Sequence, residues 1–365
     1  MIDDDRLTRR DVAKGAATLG VVGLAGCADD DDDDGVGDDV GDDDANGDDD
    51  DEEVTITIGG TSTGSSTQQA GQALARAAQQ HSDIVNISVQ ETDGWTANLY
   101  EYDDGQIPAM GVDNNSLAKA LADEGPFADG PVDRLPHQGF MFTSLQIHWV
   151  GLEGSGLEST EDLREGGYTI YPIQPGFGTR LLTEEIIRES GIWEENDILN
   201  VDTGDIPGAV EEDRVDALCL YGANGVNLAG WCQEVDVRSG GRLNLLEVDD
   251  EFRQTIQDHP GAIYEELDIY GYEQDVDAYT DELVCWSLAG QWAFSPEIPA
   301  RATREVCRLA TEHEDTLREA DPTTLEYSPE VMTATVIPEL EVHGGVADFF
   351  DENGVWEDDW IRGDA

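Results

Sequence analysis

Lysine is almost missing from this chain: Lys14 and Lys119 are the only two among 365 residues. Lysine and arginine together number 19, against 82 aspartates and glutamates, for a net charge of −63. A surface this acidic repels phosphate backbones and anionic headgroups, which excludes nucleic acid and charge-driven membrane adsorption as partners. The imbalance is not confined to a tail, since residues 54–365 alone carry a net of −46. Self-repulsion of that size destabilises a compact state at low salt. At molar salt, where the Debye length is about 3 Å, it is screened. Acid excess with almost no lysine therefore marks a halophilic protein, built for near-saturated brine.

A membrane-spanning run is also absent from the N-terminus. The apolar stretch from Gly15 to Gly26 has 12 residues, where a spanning helix needs about 20. Its flanks read as an address. Arg9 and Arg10, in Thr8-Arg9-Arg10-Asp11-Val12-Ala13-Lys14, resemble a twin-arginine export signal, with Val12-Ala13 where the motif favours a larger apolar pair. Leu24-Ala25-Gly26-Cys27 matches a lipobox, with cleavage before Cys27 and acylation of its thiol. Residues 1–27 are thus expected to be a lipoprotein signal. The protein is expected on the outer face of the cytoplasmic membrane, held through a lipid anchor only. Residues 28–53 contain 17 acids and no base. With nothing apolar to fold around, they are expected to form a disordered, solvated tether. Carboxylates such as Asp29–Asp34 suit hard cations, but no glycine turn or terminal glutamate at calcium-loop spacing follows. No metal site is expected.

Histidine and cysteine give little chemistry. The six histidines (81, 137, 148, 259, 313 and 343) include no pair at metal-ligand spacing, and no cofactor is expected. Outside the cytoplasm a disulfide is allowed. Cys219, read at the start of a strand, and Cys232, read at the end of the next helix, are the candidate pair. Four buried free thiols, with Cys285 and Cys307, are the other reading.

The body alternates strand and helix. Residues 54–58 read as a strand, 59–69 as a Gly/Ser/Thr loop, 69–81 as a helix with Ala73, Leu74, Ala77 and Ala78 on one face, and 85–90 as a strand. A short helix, a strand at 109–112 and another helix follow. The pattern recurs after Phe140: a strand at 146–152, a helix capped by Ser159, a strand at 169–173, the loop Gln174-Pro175-Gly176-Phe177-Gly178-Thr179, and an amphipathic helix at 179–190. A helix over 209–212, a strand over 217–221, a helix over 226–234, a long strand over 283–294 and C-terminal helices complete it. Such alternation predicts an α/β fold with parallel-rich sheets flanked by helices. Trp149, Trp286 and Trp292, in strand-like runs, are assigned to the core. Each unit has a Gly/Ser/Thr loop leading into a helix N-terminus, where free amides and the helix dipole suit an anionic group.

Three segments carry a resemblance over roughly residues 54–350. They are VTITIGGTSTGSSTQQAGQALA from Val54, ETDGWTANL from Glu91 with GQIPAMGVDNNSLA from Gly105, and YPIQPGFGTR from Tyr171 with DRVDALCLYG from Asp213. In order and spacing they resemble the TAXI solute-binding subunits of TRAP transporters. The resemblance implies a two-lobed, type II-like periplasmic-binding clamshell, not an enzyme, that captures a small anionic or zwitterionic solute and delivers it to TRAP permease membrane subunits. Small organic acids and acidic amino acids are the implied ligands. Lobe 1 is expected to comprise residues 54–143 plus 295–365, and lobe 2 residues 144–294. Carried over, the lobe 1 contacts fall on Gly64, Ser65, Ser66, Asn98, Asp113 and Asn114. Those of lobe 2 fall on Gly176, Phe177, Gly178, Thr179 and Tyr221. The neighbouring Thr67, Trp95, Asn115 and Arg180 complete the expected site, Arg180 as its one nearby cation and Trp95 and Phe177 as aromatic walls. An ionised Asp113 in the cleft would call for a ligand ammonium group. The chain departs from the family at Thr67-Gln68, which replaces an aromatic pair, and at Trp95 and Phe177, each of which replaces a serine.

Two rival readings fit parts of the same sequence. A clamshell of this kind also serves ABC-type permeases and chemoreceptors. Gly60-Thr61-Ser62-Thr63-Gly64 fits the G-x-S-x-G elbow of serine hydrolases, with an acid and His343 following. Only one strand precedes Ser62, however, which leaves nothing upstream to build an oxyanion hole.

Overall fold

The structure, a computed structural model, describes residues 52–364. The export motif with Arg9 and Arg10, the lipobox with Cys27 and nearly all of the acidic stretch lie outside the described residues. The architecture is α/β. It begins with β1 (Val54–Gly59), α1 (Ser66–His81), β2 (Val85–Gln90), α2 (Trp95–Asp103), β3 (Ala109–Asp113) and α3 (Asn114–Ala122). A long strand follows, β4 (His137–Leu152), then α4 (Thr160–Glu165), β5 (Thr169–Tyr171), α5 (Gly178–Glu189), β6 (Asp197–Ile198), α6 (Ile206–Glu211) and β7 (Ala217–Ala223). Next come β8 (Asn227–Leu228), α7 (Gly230–Ser239), β9 (Leu243–Leu245), α8 (Asp250–Asp258), β10 (Ile263–Asp268) and a second long strand, β11 (Glu282–Phe294). The chain closes with α9 (Ala300–Glu312), α10 (Glu314–Ala320), α11 (Pro329–Met332), β12 (Glu341–Val342), α12 (Gly344–Glu352) and β13 (Ile361–Arg362). Among the described residues no helix is long and apolar enough to cross a membrane.

The main sheet runs in the order β2-β1-β3-β11-β4-β7-β5-β6. It is parallel at both ends, where β1 pairs with β2 and β3, and β5 pairs with β6 and β7. In the centre β3, β11, β4 and β7 alternate direction. The two long strands reach from one parallel set to the other. The C-terminal end of β11, Gly290 to Phe294, pairs with β3, while its N-terminal half pairs with β10. The C-terminal half of β4, from Leu145, pairs with β7 and β9.

Burial explains why β4 and β11 hold the centre. Nearly every residue of both is buried, as expected of strands covered on both faces. Trp149, Trp286 and Trp292 are each no more than 1% exposed and belong to the core, as their strand-like context predicts. Trp292 stacks on Phe142 at 3.9 Å, and the indole of Trp286 donates to Thr183 Oγ1 at 3.0 Å. Burying one such aromatic removes about 150–250 Å² from water. The C-terminal helices α9 and α10 pack on α1.

Local signals account for several element starts. Ser159 caps α4 in a reciprocal box with Asp162. The helix expected over 226–234 is instead split. Asn227 and Leu228 pair with β7, and the helix begins at Gly230. Cys232 therefore lies at the start of α7 rather than its end, and Cys219 lies inside β7. The Cys232 sulfur accepts the Tyr221 amide at 3.4 Å. Cys219, Cys232, Cys285 and Cys307 are all buried free thiols, and burial raises the pKa of each.

Candidate functional site

Two strand-to-helix junctions face each other. After β1 the chain turns into α1, whose N-cap Ser65 accepts the Gln68 amide at 3.2 Å and also bonds to Thr61 Oγ1. After β5 the loop reaches α5, whose N-cap is Phe177, a residue with no side-chain acceptor to offer. Between them lies a cavity of about 20 Å³, room for one water-sized group. Thr61, Ser65, Ser66 and Thr67 line it from the first junction, and Phe177, Gly178 and Thr179 from the second. Trp95 at the start of α2, Leu145 of β4 and Tyr221 of β7 close it.

The polar side chains of this cavity are hydroxyls, which donate or accept, and the Trp95 indole, which only donates. Trp95 Nε1 and Thr179 Oγ1 are buried without a hydrogen-bond partner. The Gly178 and Thr179 amides open α5 with no capping side chain, and Ser65 caps α1 only through Gln68. The Tyr221 hydroxyl accepts from Trp231 Nε1 at 3.2 Å, and burial raises its pKa, so it stays neutral. Each unsatisfied buried group costs about 1–3 kcal/mol, and native folds rarely leave several together without a use. Among the described residues no lysine or arginine lines the cavity. Two helix N-termini supply the positive field, each worth about half a charge. The arrangement fits a hydrogen-bond acceptor, anionic or strongly polar.

Asp113 stands directly behind the α5 side of the wall. It is fully buried, caps α3 through Oδ1 with the Ser116 amide at 2.7 Å, and leaves Oδ2 without a partner. Burial pushes its pKa up to about 6, against the lowering effect of hydrogen bonds from Ser116 and Asn115. A Cβ placed on Gly178 would overlap Asp113 Oδ2 and lie 3.0 Å from Trp95 Cε3. Only glycine lets α5 approach this closely.

Of the residues predicted from the sequence, Ser65, Ser66, Thr67, Trp95, Phe177, Gly178, Thr179 and Tyr221 line the cavity. Asp113 touches its wall. The others do something else. Gly64 and Gly176 are turn residues at positive φ. Asn114 and Asn115 line a separate groove with Pro260 and Gly261. Arg180 is turned away, donating to the Ile173 carbonyl at 2.8 Å and to Asn200 and Glu184. Its guanidinium is held by these protein groups, and the residue borders a neighbouring space with Phe177 and Glu184. Asn98 is a clamp: its Nδ2 donates to the carbonyls of Gly59, Gly60 and Gly111 at 3.3, 2.8 and 2.8 Å. Asn98→Ala is therefore expected to cost about 2–4 kcal/mol of stability through those orphaned carbonyls, read by denaturant unfolding in high salt. A loss below about 0.5 kcal/mol would contradict the clamp. Sequence reasoning missed Thr61 and Leu145. Thr61 sits in the quoted loop and was legible, whereas nothing in the sequence marks Leu145 among its apolar strand neighbours.

Two alternative sites are poorer. Ser62 lines a groove with Glu91, Asp93 and Asp202 and, among the described residues, no histidine. His343 is buried at the start of α12 against Thr303 and the Gly345 amide. A larger surface groove of about 660 Å³ contains Arg301, Arg304 and Arg308. Arg304 pairs there with Glu352, and Arg308 with Glu305 and Glu312, so the groove offers little net positive charge. Among the described residues no group of His, Cys, Asp or Glu is placed to hold a metal ion.

Comparison with known proteins gives distant structural likeness alone. No protein-family model matches the chain, and no curated protein matches it. Among solved structures, the chain is similar to the periplasmic aliphatic sulphonate binding protein SsuA of Escherichia coli. Identity there is 14%, coverage is 74% of this chain and 79% of that one, and the TM-score is 0.40. It is similar to DctP7 of Bordetella pertussis, an extracytoplasmic solute receptor binding pyroglutamic acid, at 12% identity, 83% and 86% coverage and a TM-score of 0.40. It is also similar to a zinc-bound ligand-binding component of an ABC-type import system from Staphylococcus aureus, at 11% identity, 85% and 96% coverage and a TM-score of 0.43.

Proposed function

We propose that this protein is an extracytoplasmic solute receptor of a TRAP-type transporter, of the TAXI kind, that binds a small organic acid or acidic amino acid. The carrying observation is the small cavity between the starts of α1 and α5, whose lining residues Trp95 and Thr179 carry a buried Nε1 and a buried Oγ1 with no hydrogen-bond partner. A carboxylate supplies the acceptors that those groups and the helix amides lack. The two-lobe division, residues 54–143 plus 295–365 against 144–294, is part of the proposal. It draws on the way β4 and β11 connect the two parallel strand sets. Opening about those strands admits solute, and closing brings Gly178 onto Asp113.

The reading is tested by thermal-shift screening of organic acids and acidic amino acids in molar salt. A ligand specific for the folded state adds about 2.7 kcal/mol at a hundredfold excess over its dissociation constant. Stabilisation by carboxylates, weakened about tenfold or more in affinity by Thr179→Val or Trp95→Phe, is the expected result. Stabilisation by sugars or metal ions alone would refute it. Anchoring at Cys27 and export through Arg9 and Arg10 belong to the same proposal. Cys27→Ser is expected to leave the protein unprocessed or released to the medium, read by membrane fractionation. Its retention on washed membranes would refute the anchor.

A further inference from the structure

The cavity is small for a whole solute. About 20 Å³ holds a single small group, less than the whole of any acidic amino acid. Immediately outside lies a second space of about 180 Å³, walled by Thr96, Pro126, Pro175, Leu181, Arg180 and Glu184. Among the described residues, Phe177 alone lines both spaces. Its side chain is 6% exposed and makes no capping bond to α5, so the helix itself does not require an aromatic there. The backbone delivers the ring to this place. Gly176, at φ +95°, turns the loop, and the ring edge lies 3.1 Å from the point where Gly94 would carry a Cβ. Glycine at 94 leaves the space that the ring and the Gly176 carbonyl occupy.

We propose that Phe177 is the size-determining residue of the solute site: its ring partitions the inner cavity from the outer space and limits the wild-type protein to short acids. This rests on the solute reading and narrows it. A carboxylate head fills the hydroxyl-lined inner cavity. Any longer body must take the position of the ring. The outer space, open to solvent on one side and bordered also by Arg180 and Glu184, has room for the few carbons that the ring now excludes. Removing the ring joins the two spaces and lets the body of a longer acid extend past Gly178 toward Leu181.

The test compares wild type, Phe177→Leu and Phe177→Ala by calorimetry and thermal shift, in molar salt, across acetate, propionate, succinate and glutarate. Wild type is expected to bind acetate or propionate at least tenfold more tightly than glutarate. In Phe177→Ala that ratio is expected to collapse or invert, with Phe177→Leu between. The same ranking of acids in all three proteins would overturn the size limit while leaving the solute reading standing. A wild type that binds glutarate as tightly as acetate would do the same. If no acid in the series stabilises any of the three, the solute reading falls and the size limit with it. Should Phe177→Ala fail to fold, the ranking in Phe177→Leu, which keeps apolar packing on Gly94, decides the question.

Discussion

At pH 7 the Asp113→Asn protein is expected to be more stable than wild type by about 3 kcal/mol, and at pH 4 the two are expected to be nearly equal. The carboxyl is fully buried, and its pKa is raised from 3.8 to about 6. Between those values the folded state holds a proton that the unfolded state has lost, so wild-type stability falls as pH rises through this window. Each tenfold change in proton affinity is worth about 1.36 kcal/mol, and the window spans roughly two pH units, which gives the magnitude. Below pH 4 both states are protonated and the penalty vanishes. Charged neighbours offer no relief. Lys119 on α3 is paired with Glu185 of α5 at 2.9 Å, and Arg180 is directed to Ile173 and Asn200. Asparagine keeps the acceptor that caps α3 and is an equally good N-cap. Denaturant midpoints for both proteins at pH 4, 5, 6 and 7, at one high salt concentration, measure the gap. A gap that does not widen with pH would contradict the buried, unpaired carboxylate.

Gly178→Ala is expected to destabilise the closed form by about 1–3 kcal/mol, as overpacking does, and to weaken carboxylate binding at least tenfold. The new methyl group has nowhere to go. Asp113 is pinned by the Ser116 amide, and Trp95 is 3% exposed. The start of α5 must then retreat from α3, and the Thr179 hydroxyl and α5 amides retreat from those of α1. Gly208→Ala is the control. Nothing lies within 4 Å of its added Cβ, and it sits inside α6, where alanine is favoured by about 0.5–1 kcal/mol. Calorimetric titration alongside unfolding separates the two effects. Wild-type affinity in Gly178→Ala would show that closure of this seam is not what builds the site.

The parts of the fold legible in the sequence are those set by local chemistry. Alternating strand and helix periodicity gives both parallel strand sets, and the Gly/Ser/Thr loops give both junctions of the cavity. Ser159, followed by acids, reads directly as the cap it is. Orientation is less legible. Asn98 and Arg180 are polar residues beside the expected site, but helical phase turns Asn98 under the β1 and β3 carbonyls and Arg180 toward Ile173. No local pattern distinguishes a polar side chain facing a ligand from one satisfying buried backbone. Leu145 reaches the cavity only because β4 runs across the centre of the sheet, which is a matter of topology. The short strands β8 and β9, of two and three residues, carry too few residues for a period-2 pattern to declare itself.

If the unpartnered donors around Trp95 and Thr179 hold the acidic group of a solute, a crystal structure will show it. The crystals should contain the carboxylate that stabilises the protein most in molar salt. A carboxylate oxygen is expected within hydrogen-bond distance of Trp95 Nε1 and Thr179 Oγ1, between the starts of α1 and α5. A carboxylate bound instead in the groove of Arg301, Arg304 and Arg308, with this cavity empty, would contradict the proposed site.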